Sequence, residues 1–302
     1  MTKADTLGAG GRRPKESSVS ETRVKAVIVA AGYGTRFLPV TRVVPKELLP
    51  IVDRPAIDFV VDELIDAGVT DLLVITSRRK KALDDWFDRD PELEAVFDAE
   101  GATGKRAKIA PPKLRTTFVR QDRMAGTGDA LLLARSFAGD DPVLVAFPDD
   151  LFAGENPSKA LLDTWRRTGA SVLLAADLRG EDVSRYGVLD VDADQRLRRV
   201  VEKPASGTEP STLVSFGRYL YTPAFFDALA AARAAHAGAG EFFPMPAMDA
   251  EAAAGRVRVY TTEARRIDTG TPLGWLMANV DAALARDDTG PALRAWLAQR
   301  LG

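Results

Sequence analysis

A short stretch of the chain combines glycines and basic residues at a spacing that suits phosphate binding. An apolar, β-branched run over residues 26–31 has the length of a buried strand. The run leads into Gly32 and Gly34, where backbone N–H groups can approach an anionic ligand closely. Arg36 follows at once, and Lys46 lies further along, on a segment interrupted by prolines. Two cations beside a glycine loop predict a loop that grips phosphate groups.

Two other phosphate-binding motifs fit this stretch less well. A dinucleotide fingerprint needs a third glycine at the start of a helix, and Phe37 stands in that place. A Walker loop needs Gly-Lys followed by Ser or Thr, whereas Gly104-Lys105 is followed by Arg106. These mismatches disfavour a Walker-type loop and a nicotinamide-dependent dehydrogenase.

Adjacent carboxylates follow a second apolar run and suit a metal ion. Asp149 and Asp150 come directly after the predicted strand at 142–147. Because adjacent side chains of an extended backbone point to opposite faces, only one of the two should reach a given metal. The chain has no cysteine and a single histidine, His236. Any bound metal should therefore be a hard cation held by carboxylates, and Mg²⁺ is the natural choice.

Composition limits the classes of protein to consider. The chain has 302 residues, 46% hydrophobic and 28% charged, which is typical of a globular protein. A net charge of −2 disfavours a general nucleic-acid binder. Nothing resembles a signal peptide or a membrane span, so we expect a cytoplasmic protein with no membrane or nucleic-acid partner.

Strand and helix patterns alternate along most of the chain. Residues 1–22 are rich in Gly, Ser, Thr and charge without apolar periodicity, and they predict a disordered tail. The alternation over 23–302 predicts one α/β domain, Rossmann-like and doubly wound around a mixed, mostly parallel central sheet. The smaller predicted features are a β-hairpin extension (187–190 with 196–202) and C-terminal helices (273–286 and 291–301).

The position of the motifs relative to the strands is itself informative. Each glycine or carboxylate motif lies just after a predicted strand, and ligands of doubly wound sheets bind at the carboxyl ends of strands. Two other segments are expected to carry no site. The basic run at 78–81 is predicted as a solvated helix start, and residues 98–112 are predicted as a loop.

The block from Lys25 to Pro55 resembles the signature of the sugar-1-phosphate nucleotidylyltransferases, G-x-G-T-R followed by P-K-E-x-L-P. Its continuation, T-R-x-x-P-K-E-L-L-P-I-V-D-R-P, is most similar to bacterial members that use UTP and glucose 1-phosphate. The resemblance implies transfer of a uridylyl group from UTP to glucose 1-phosphate, with release of pyrophosphate. It also implies Mg²⁺ as cofactor and a homo-oligomer, dimer or tetramer.

The same resemblance assigns roles to single residues. Arg36 and Lys46 would hold the triphosphate and the leaving pyrophosphate, and Lys203 the attacking sugar phosphate. Asp149, and Asp268 in a D-T-G-T-P segment, would be the metal ligands. The implied nucleotide-binding residues are Ala31, Gly32, Gly34, Thr35, Gln121 and Gly126, and the implied sugar-phosphate-binding residues are Gly187, Glu202, Lys203 and Glu241.

Two segments depart from the family pattern and leave specificity open. The family's G-E-I-Q-L-T-D-A segment is replaced over residues 240–247, where Glu241 persists but two phenylalanines and two prolines enter. The loop expected to read the base ends in Asp129, where the family has histidine. The alternatives are therefore the same reaction with another nucleotide or sugar, such as thymidylyl transfer, or a sugar-nucleotide-binding regulatory protein with impaired catalysis. At the start of the altered segment, prolines at 244 and 246 predict a helix that begins at or after Pro244.

Overall fold

A mixed sheet of nine strands lies at the centre of this computed structural model, which describes residues 23–184, 186–238 and 240–302. The predicted tail at 1–22 lies outside the described residues. In chain order the strands are β1 (Val24–Val29), β2 (Pro50–Ile51), β3 (Arg54–Pro55), β4 (Val69–Thr76), β5 (Arg115–Arg120), β6 (Val143–Ala146), β7 (Asp150–Ala153), β8 (Ser171–Asp177), β9 (Gly187–Val191), β10 (Leu197–Glu202), β11 (Leu213–Tyr221), β12 (Val257–Thr261) and β13 (Arg265–Asp268). Two small antiparallel ladders, β2–β3 and β7–β13, stand beside the main sheet.

Helices connect most of these strands. They are α1 (Ala56–Asp66), α2 (Ala82–Phe87), α3 (Pro91–Ala99), α4 (Thr103–Lys108), α5 (Thr127–Leu132), α6 (Arg135–Ala138), α7 (Pro157–Thr168), α8 (Pro223–Ala235), α9 (Met245–Ala253), α10 (Pro272–Ala285) and α11 (Gly290–Leu301). Several start at a proline, which tolerates the first turn because its missing N–H would have no partner there. Within the described residues, no helix is long and apolar enough to cross a bilayer.

The first half of the sheet is parallel and the second half is mostly antiparallel. The main strand order is β10-β9-β11-β6-β1-β4-β5; β8 joins it at β11, and β12 pairs with β8. β1 lies between β4 and β6 with parallel pairing on both sides, and β5 continues the parallel part. β11 runs antiparallel to β6, β8 and β9. The predicted mixed sheet and the β9–β10 hairpin are both confirmed.

Helices cover both faces of the sheet, as a doubly wound fold requires. Alternate residues of β1 face opposite sides: Ile28 belongs to the core cluster that contains residues of α1, α7 and α10, whereas Val27 belongs to the cluster that contains residues of α5, α6, α8 and α9. Both side chains are fully buried. Burial of a side chain of this size contributes about 1.5–3 kcal/mol to folding. The alternation therefore fixes which side chains of β1 face each layer of helices, and with it the orientation of the strand in the sheet.

The prediction of a loop over 98–112 is wrong in part, because α3 reaches residue 99 and α4 lies within this segment. Asp90 caps α3 by accepting a hydrogen bond from the Leu93 backbone N–H at 3.0 Å. The Arg106 guanidinium of α4 lies 3.0 Å from the buried Glu94 carboxylate of α3. Charged contacts between the two helices therefore replace the apolar periodicity that the sequence lacks.

A tight hairpin, β2–β3, links the proline-rich loop to the C-terminal helix α10. Its turn residue Val52 has a φ of 59°, in the left-handed region that a β-branched side chain rarely adopts. Asn279 of α10 accepts a hydrogen bond from the Val52 backbone N–H at 2.8 Å. The indole of Trp275 donates to the Pro50 carbonyl at 3.0 Å. These contacts hold Val52 in a conformation that is unfavourable for valine.

We predict that Val52→Asn stabilises the fold by about 0.5–1 kcal/mol, because asparagine tolerates this region better than valine. The measurement is the free energy of unfolding in urea. The control is Val43→Asn, at an exposed position with a φ of −126°, which should change that free energy by less than about 0.5 kcal/mol. A lower free energy of unfolding in Val52→Asn would contradict the conclusion that Val52 is strained.

Candidate active site

The glycine loop leaves the carboxyl end of β1 and remains open to solvent. Gly34 has a φ of 66°, and a Cβ there would approach the Thr41 methyl group to 3.2 Å. Gly32 has open space on the side where a Cβ would stand, and Thr35 is exposed. The Arg36 guanidinium reaches across to the Gly270 carbonyl at 3.4 Å. The loop therefore presents backbone and one cation to the same edge of the sheet.

Lys46 and Asp149 form an ion pair between two strand ends. Lys46 lies in a short 3₁₀ turn after Pro45, and its ammonium donates to the Asp149 Oδ2 atom. Partial burial raises the pKa of the Asp149 carboxyl, but the Lys46 ammonium outweighs this effect and keeps the pKa below its usual value. Asp149 is therefore an anion at neutral pH that already has a cation at its side.

Asp268 approaches Asp149 at Gly270. A Cβ on Gly270 would lie 2.8 Å from the Asp149 Oδ2 atom and 3.1 Å from the Asp268 Oδ1 atom. The backbone N–H of Gly270 donates to Asp268 Oδ1 at 2.8 Å, and that of Thr269 donates to the Asp149 carbonyl at 2.8 Å. The two predicted metal ligands, from distant parts of the sequence, thus reach the same point.

These two carboxylates fit a magnesium ion that shares its coordination with a nucleotide. No group of three or more candidate metal ligands occurs within residues 23–184, 186–238 and 240–302. Mg²⁺ usually takes only one or two protein carboxylates and fills its octahedron with phosphate oxygens and water. Because Lys46 contacts the oxygen of Asp149 that faces Asp268, it and a metal ion are alternative cations for this carboxylate.

The adjacent aspartate has a different role. The Asp150 carboxylate accepts a hydrogen bond from Arg266 at 2.6 Å, and its side chain lies against the Cα of Gly217. Burial raises the pKa of Asp150, although Arg266 opposes the shift. The two neighbouring carboxylates therefore have different partners, Lys46 for Asp149 and Arg266 for Asp150.

A buried ion pair, Glu47 with Lys80, lies beneath the glycine loop, and sequence reasoning missed it. Lys80 belongs to the basic run that was predicted to be solvated, but it is only 5% exposed. Its ammonium donates to the Ala30 carbonyl at 2.5 Å and to Glu47 Oε1 at 2.6 Å. Burial lowers the pKa of Lys80, while Glu47 opposes the shift. Lys80 therefore ties the end of β1 to the residue that follows Lys46.

The loop predicted to read the base packs against the altered segment. Gln121 follows β5, and its side-chain amide donates to the Gly126 carbonyl at 3.1 Å. Gly126 has a φ of 100°, and a Cβ there would overlap the backbone of Phe242. Asp129 pairs with Arg233 of α8 at 3.0 Å. The position where the family has histidine is thus engaged in an ion pair with α8.

A cavity of about 200 Å³ lies beside the strand end that carries Asp149. It is lined by Phe147 and by two of the predicted sugar-phosphate ligands, Gly187 and Glu202. A Cβ on Gly187 would lie 3.1 Å from Glu202 Oε2, so glycine keeps the carboxylate free. Lys203 has a φ of 46° and an exposed side chain, with its ammonium 4.0 Å from Glu202 Oε1. Gly187, Glu202 and Lys203 therefore lie together on one side of this cavity.

Glu241 is not brought to this cavity. It lines a separate depression with Arg123, Asp129 and Arg233. The helix that follows, α9, begins at Met245 after Pro244, as its prolines predict. Pro244 and Met245 line the cavity instead.

Fold and site together define a nucleotidyl transferase. The nucleotidyl transferase family model matches residues 25–283, and the chain belongs to this family.

Similar proteins carry more specific names. A UTP–glucose-1-phosphate uridylyltransferase of Staphylococcus epidermidis is 36% identical over 283 residues, covering 91% of this chain and 97% of the relative. The UTP-bound UGPase of Acinetobacter baumannii superimposes with a TM-score of 0.83 at 28% identity, covering 91% of this chain and 98% of the other. A UDP-glucose pyrophosphorylase complexed with UDP-glucose superimposes with a TM-score of 0.74 at 30% identity, covering 87% and 100%.

We predict that Asp149→Asn and Asp268→Asn each lower turnover at least about a hundredfold, because each removes a charge that stabilises the transition state. The measurement is the steady-state rate of nucleotidyl transfer at saturating magnesium, with the melting temperature as a check on folding. The control is Asp281→Asn, on the exposed face of α10, which should keep the parent rate. Near-parent turnover in either site variant would contradict the carboxylate pair.

Proposed function

We propose that this nucleotidyl transferase moves a uridylyl group from UTP to glucose 1-phosphate and forms UDP-glucose and pyrophosphate. One observation carries the proposal: Lys46, Asp149 and Asp268 meet at one sheet edge, beside the cavity that Glu202 lines. The names of the similar proteins, and the UTP and UDP-glucose in two of the similar structures, support the identity of both substrates.

The chemistry is a single displacement at phosphorus. An oxygen of the sugar phosphate forms a bond to the α-phosphorus of UTP, and the bond from that phosphorus to the pyrophosphate oxygen breaks. The attacking oxygen is already an anion at neutral pH, so no side chain needs to remove a proton. The single histidine, His236, packs against Phe242 on the α8 side, which agrees with a mechanism that needs no general base.

The protein's own contribution is to position the partners and neutralise charge. Arg36 and Lys46 are assigned to the triphosphate and the leaving pyrophosphate, and Lys203 to the phosphate of the sugar. The base is assigned to Gln121 and Gly126, whose carbonyl already receives the glutamine amide. The backbone of Ala31, Gly32, Gly34 and Thr35 is assigned to the nucleotide phosphates.

Asp149 and Asp268 are the residues that would hold Mg²⁺. When bound, the ion neutralises charge on the phosphate oxygens of the nucleotide. Lys46 would then exchange its carboxylate partner for phosphate oxygens. Gly187 and Glu202 are assigned to the sugar, and Glu241 is left out because it lines a different depression.

We further propose a cytoplasmic homo-oligomer, a dimer or tetramer, without a nucleic-acid or membrane partner. Three exposed apolar side chains on α10, Leu273, Leu276 and Met277, lie at helical spacing on one face. Such a face suits contact with a second copy of the chain. The net charge of −2 offers no general attraction for nucleic acid.

The direct test is a screen of nucleoside triphosphates against sugar 1-phosphates, read by pyrophosphate release. We expect the highest catalytic efficiency for UTP with glucose 1-phosphate, and UDP-glucose as the nucleotide product. The Asp149→Asn protein serves as the blank. A different nucleotide or sugar as the best pair would contradict the substrate assignment but retain the reaction class.

The two lysines should affect different substrates. Lys46→Ala should chiefly raise the KM for UTP or lower turnover with it, and Lys203→Ala should chiefly raise the KM for glucose 1-phosphate, each by about tenfold or more. The control is Lys159→Ala, at an exposed position of α7. An exchange of the two effects would show that the substrates bind in the opposite arrangement.

A further inference from the structure

Arg218 of β11 is a fully buried arginine whose hydrogen bonds are all accounted for. Its side chain is 1% exposed. A guanidinium carries five N–H donors, and here each has one acceptor. The acceptors are Glu63 Oε1 at 2.9 Å, Glu63 Oε2 at 2.8 Å, and the backbone carbonyls of Phe147 at 3.0 Å, Gly217 at 2.9 Å and Asp150 at 2.9 Å.

Two of these carbonyls stand on either side of Asp149. Arg218 therefore holds the turn between β6 and β7 at both ends, through Phe147 and Asp150. Between them, the Asp149 carbonyl accepts hydrogen bonds from the Thr269 backbone N–H at 2.8 Å and from the Thr269 hydroxyl at 3.0 Å. The backbone that carries the Asp149 carboxylate is thus fixed from two directions.

Glu63 extends this arrangement to two helices. Glu63 lies on α1, and its carboxylate accepts a hydrogen bond from the Ser158 hydroxyl of α7 at 2.5 Å. Its backbone carbonyl accepts a hydrogen bond from the Asn156 side-chain amide at 2.9 Å. A buried ion pair is a poor source of stability, because the loss of hydration cancels most of the attraction. A contribution to stability is therefore a weak explanation for the presence of Arg218 and Glu63. Their contacts with the backbone around Asp149 give a more specific explanation.

A shorter cation could not replace these contacts. Lysine has three donors at a single point, so it cannot span the Phe147 and Asp150 carbonyls while it also faces Glu63. The Asp150 side chain is occupied by Arg266, so it cannot take over from a displaced Asp149. Arg218 is also distinct from the residues assigned to substrates, because it is sealed from solvent.

We propose that Arg218, supported by Glu63, is a positioning residue that sets where the Asp149 carboxylate stands at the active site. Arg218 contacts neither substrate and acts through Asp149 alone. The proposal deepens the function proposed above and rests on the role assigned there to Asp149.

A double-mutant cycle separates positioning from a merely structural role. In the parent background, Arg218→Lys should lower kcat at least about tenfold while both KM values change less than about threefold. In the Asp149→Asn background, the same change should lower kcat less than about twofold, because the carboxylate it positions is gone. If the double variant instead lost kcat by the product of the two single-variant factors, the proposal would be overturned. The control is Leu161→Ala in the buried core, whose effect on kcat should be the same in both backgrounds.

A binding measurement supplies a readout that does not need turnover. Free Mn²⁺, followed by electron paramagnetic resonance in the presence of UTP, should bind at least about tenfold more weakly to Arg218→Lys than to the parent protein. Unchanged Mn²⁺ affinity would overturn the proposal. If Arg218→Lys does not fold, Glu63→Gln keeps the size of the partner and all five arginine donors, and it should weaken Mn²⁺ binding in the same direction. An unchanged affinity in that folded variant would equally overturn it.

The two proposals fail in different ways. A parent protein that makes no UDP-glucose would remove the proposed substrates, and the Mn²⁺ comparison would still decide whether Arg218 positions Asp149. A parent protein that does make UDP-glucose, with Arg218→Lys fully active, would retain the function and remove the positioning role.

Discussion

The parallel hydrogen-bond ladder that holds β1 between β4 and β6 is the constraint on which the rest of the site depends. Parallel pairing places the carboxyl ends of β1, β4, β5 and β6 at one edge of the sheet. The glycine loop, Gln121 and Asp149 each follow one of these strands, so they lie at the same edge although they are far apart in sequence. A shift of β1 by a single residue would move each of its side chains to the opposite face of the sheet. The helices that pack on both faces do not allow this exchange. The register of the core therefore fixes the position of the chemistry.

Two buried ion pairs support the loops that leave this edge. Lys80 joins the Ala30 carbonyl to Glu47, next to Lys46, and Arg218 joins Glu63 to the carbonyls around Asp149. Buried charges are expensive unless they are paired and hydrogen-bonded, so each cation is held to one geometry. Lys46 and Asp149, both partly buried, are then the adjustable parts of the site. They can exchange partners while the backbone beneath them stays in place.

Local sequence patterns anticipated the strand ends better than the contacts between them. Asp149 could be proposed as a ligand because it follows a predicted strand, and Asp268 because it belongs to a recognisable segment. Their meeting at Gly270 depends on the β7–β13 pairing, which has no local signature. The burial of Lys80 was missed, because a basic run is usually solvated and its partner Glu47 lies far away in sequence. The position of Glu241 was beyond prediction for a related reason: its segment is set by how Phe242 packs on the base loop, a contact between distant segments.

We propose that the nucleoside triphosphate and the metal bind together at the edge where Lys46 and Asp149 meet. A crystal structure of the protein with UTP and Mg²⁺ tests it most directly. We expect the triphosphate to lie against Gly34 and Arg36, the metal to lie on Asp149 and Asp268, and Lys46 to contact phosphate instead of the carboxylate. Triphosphate bound elsewhere, such as the cleft of about 800 Å³ lined by Asp62 and Trp86, would contradict it.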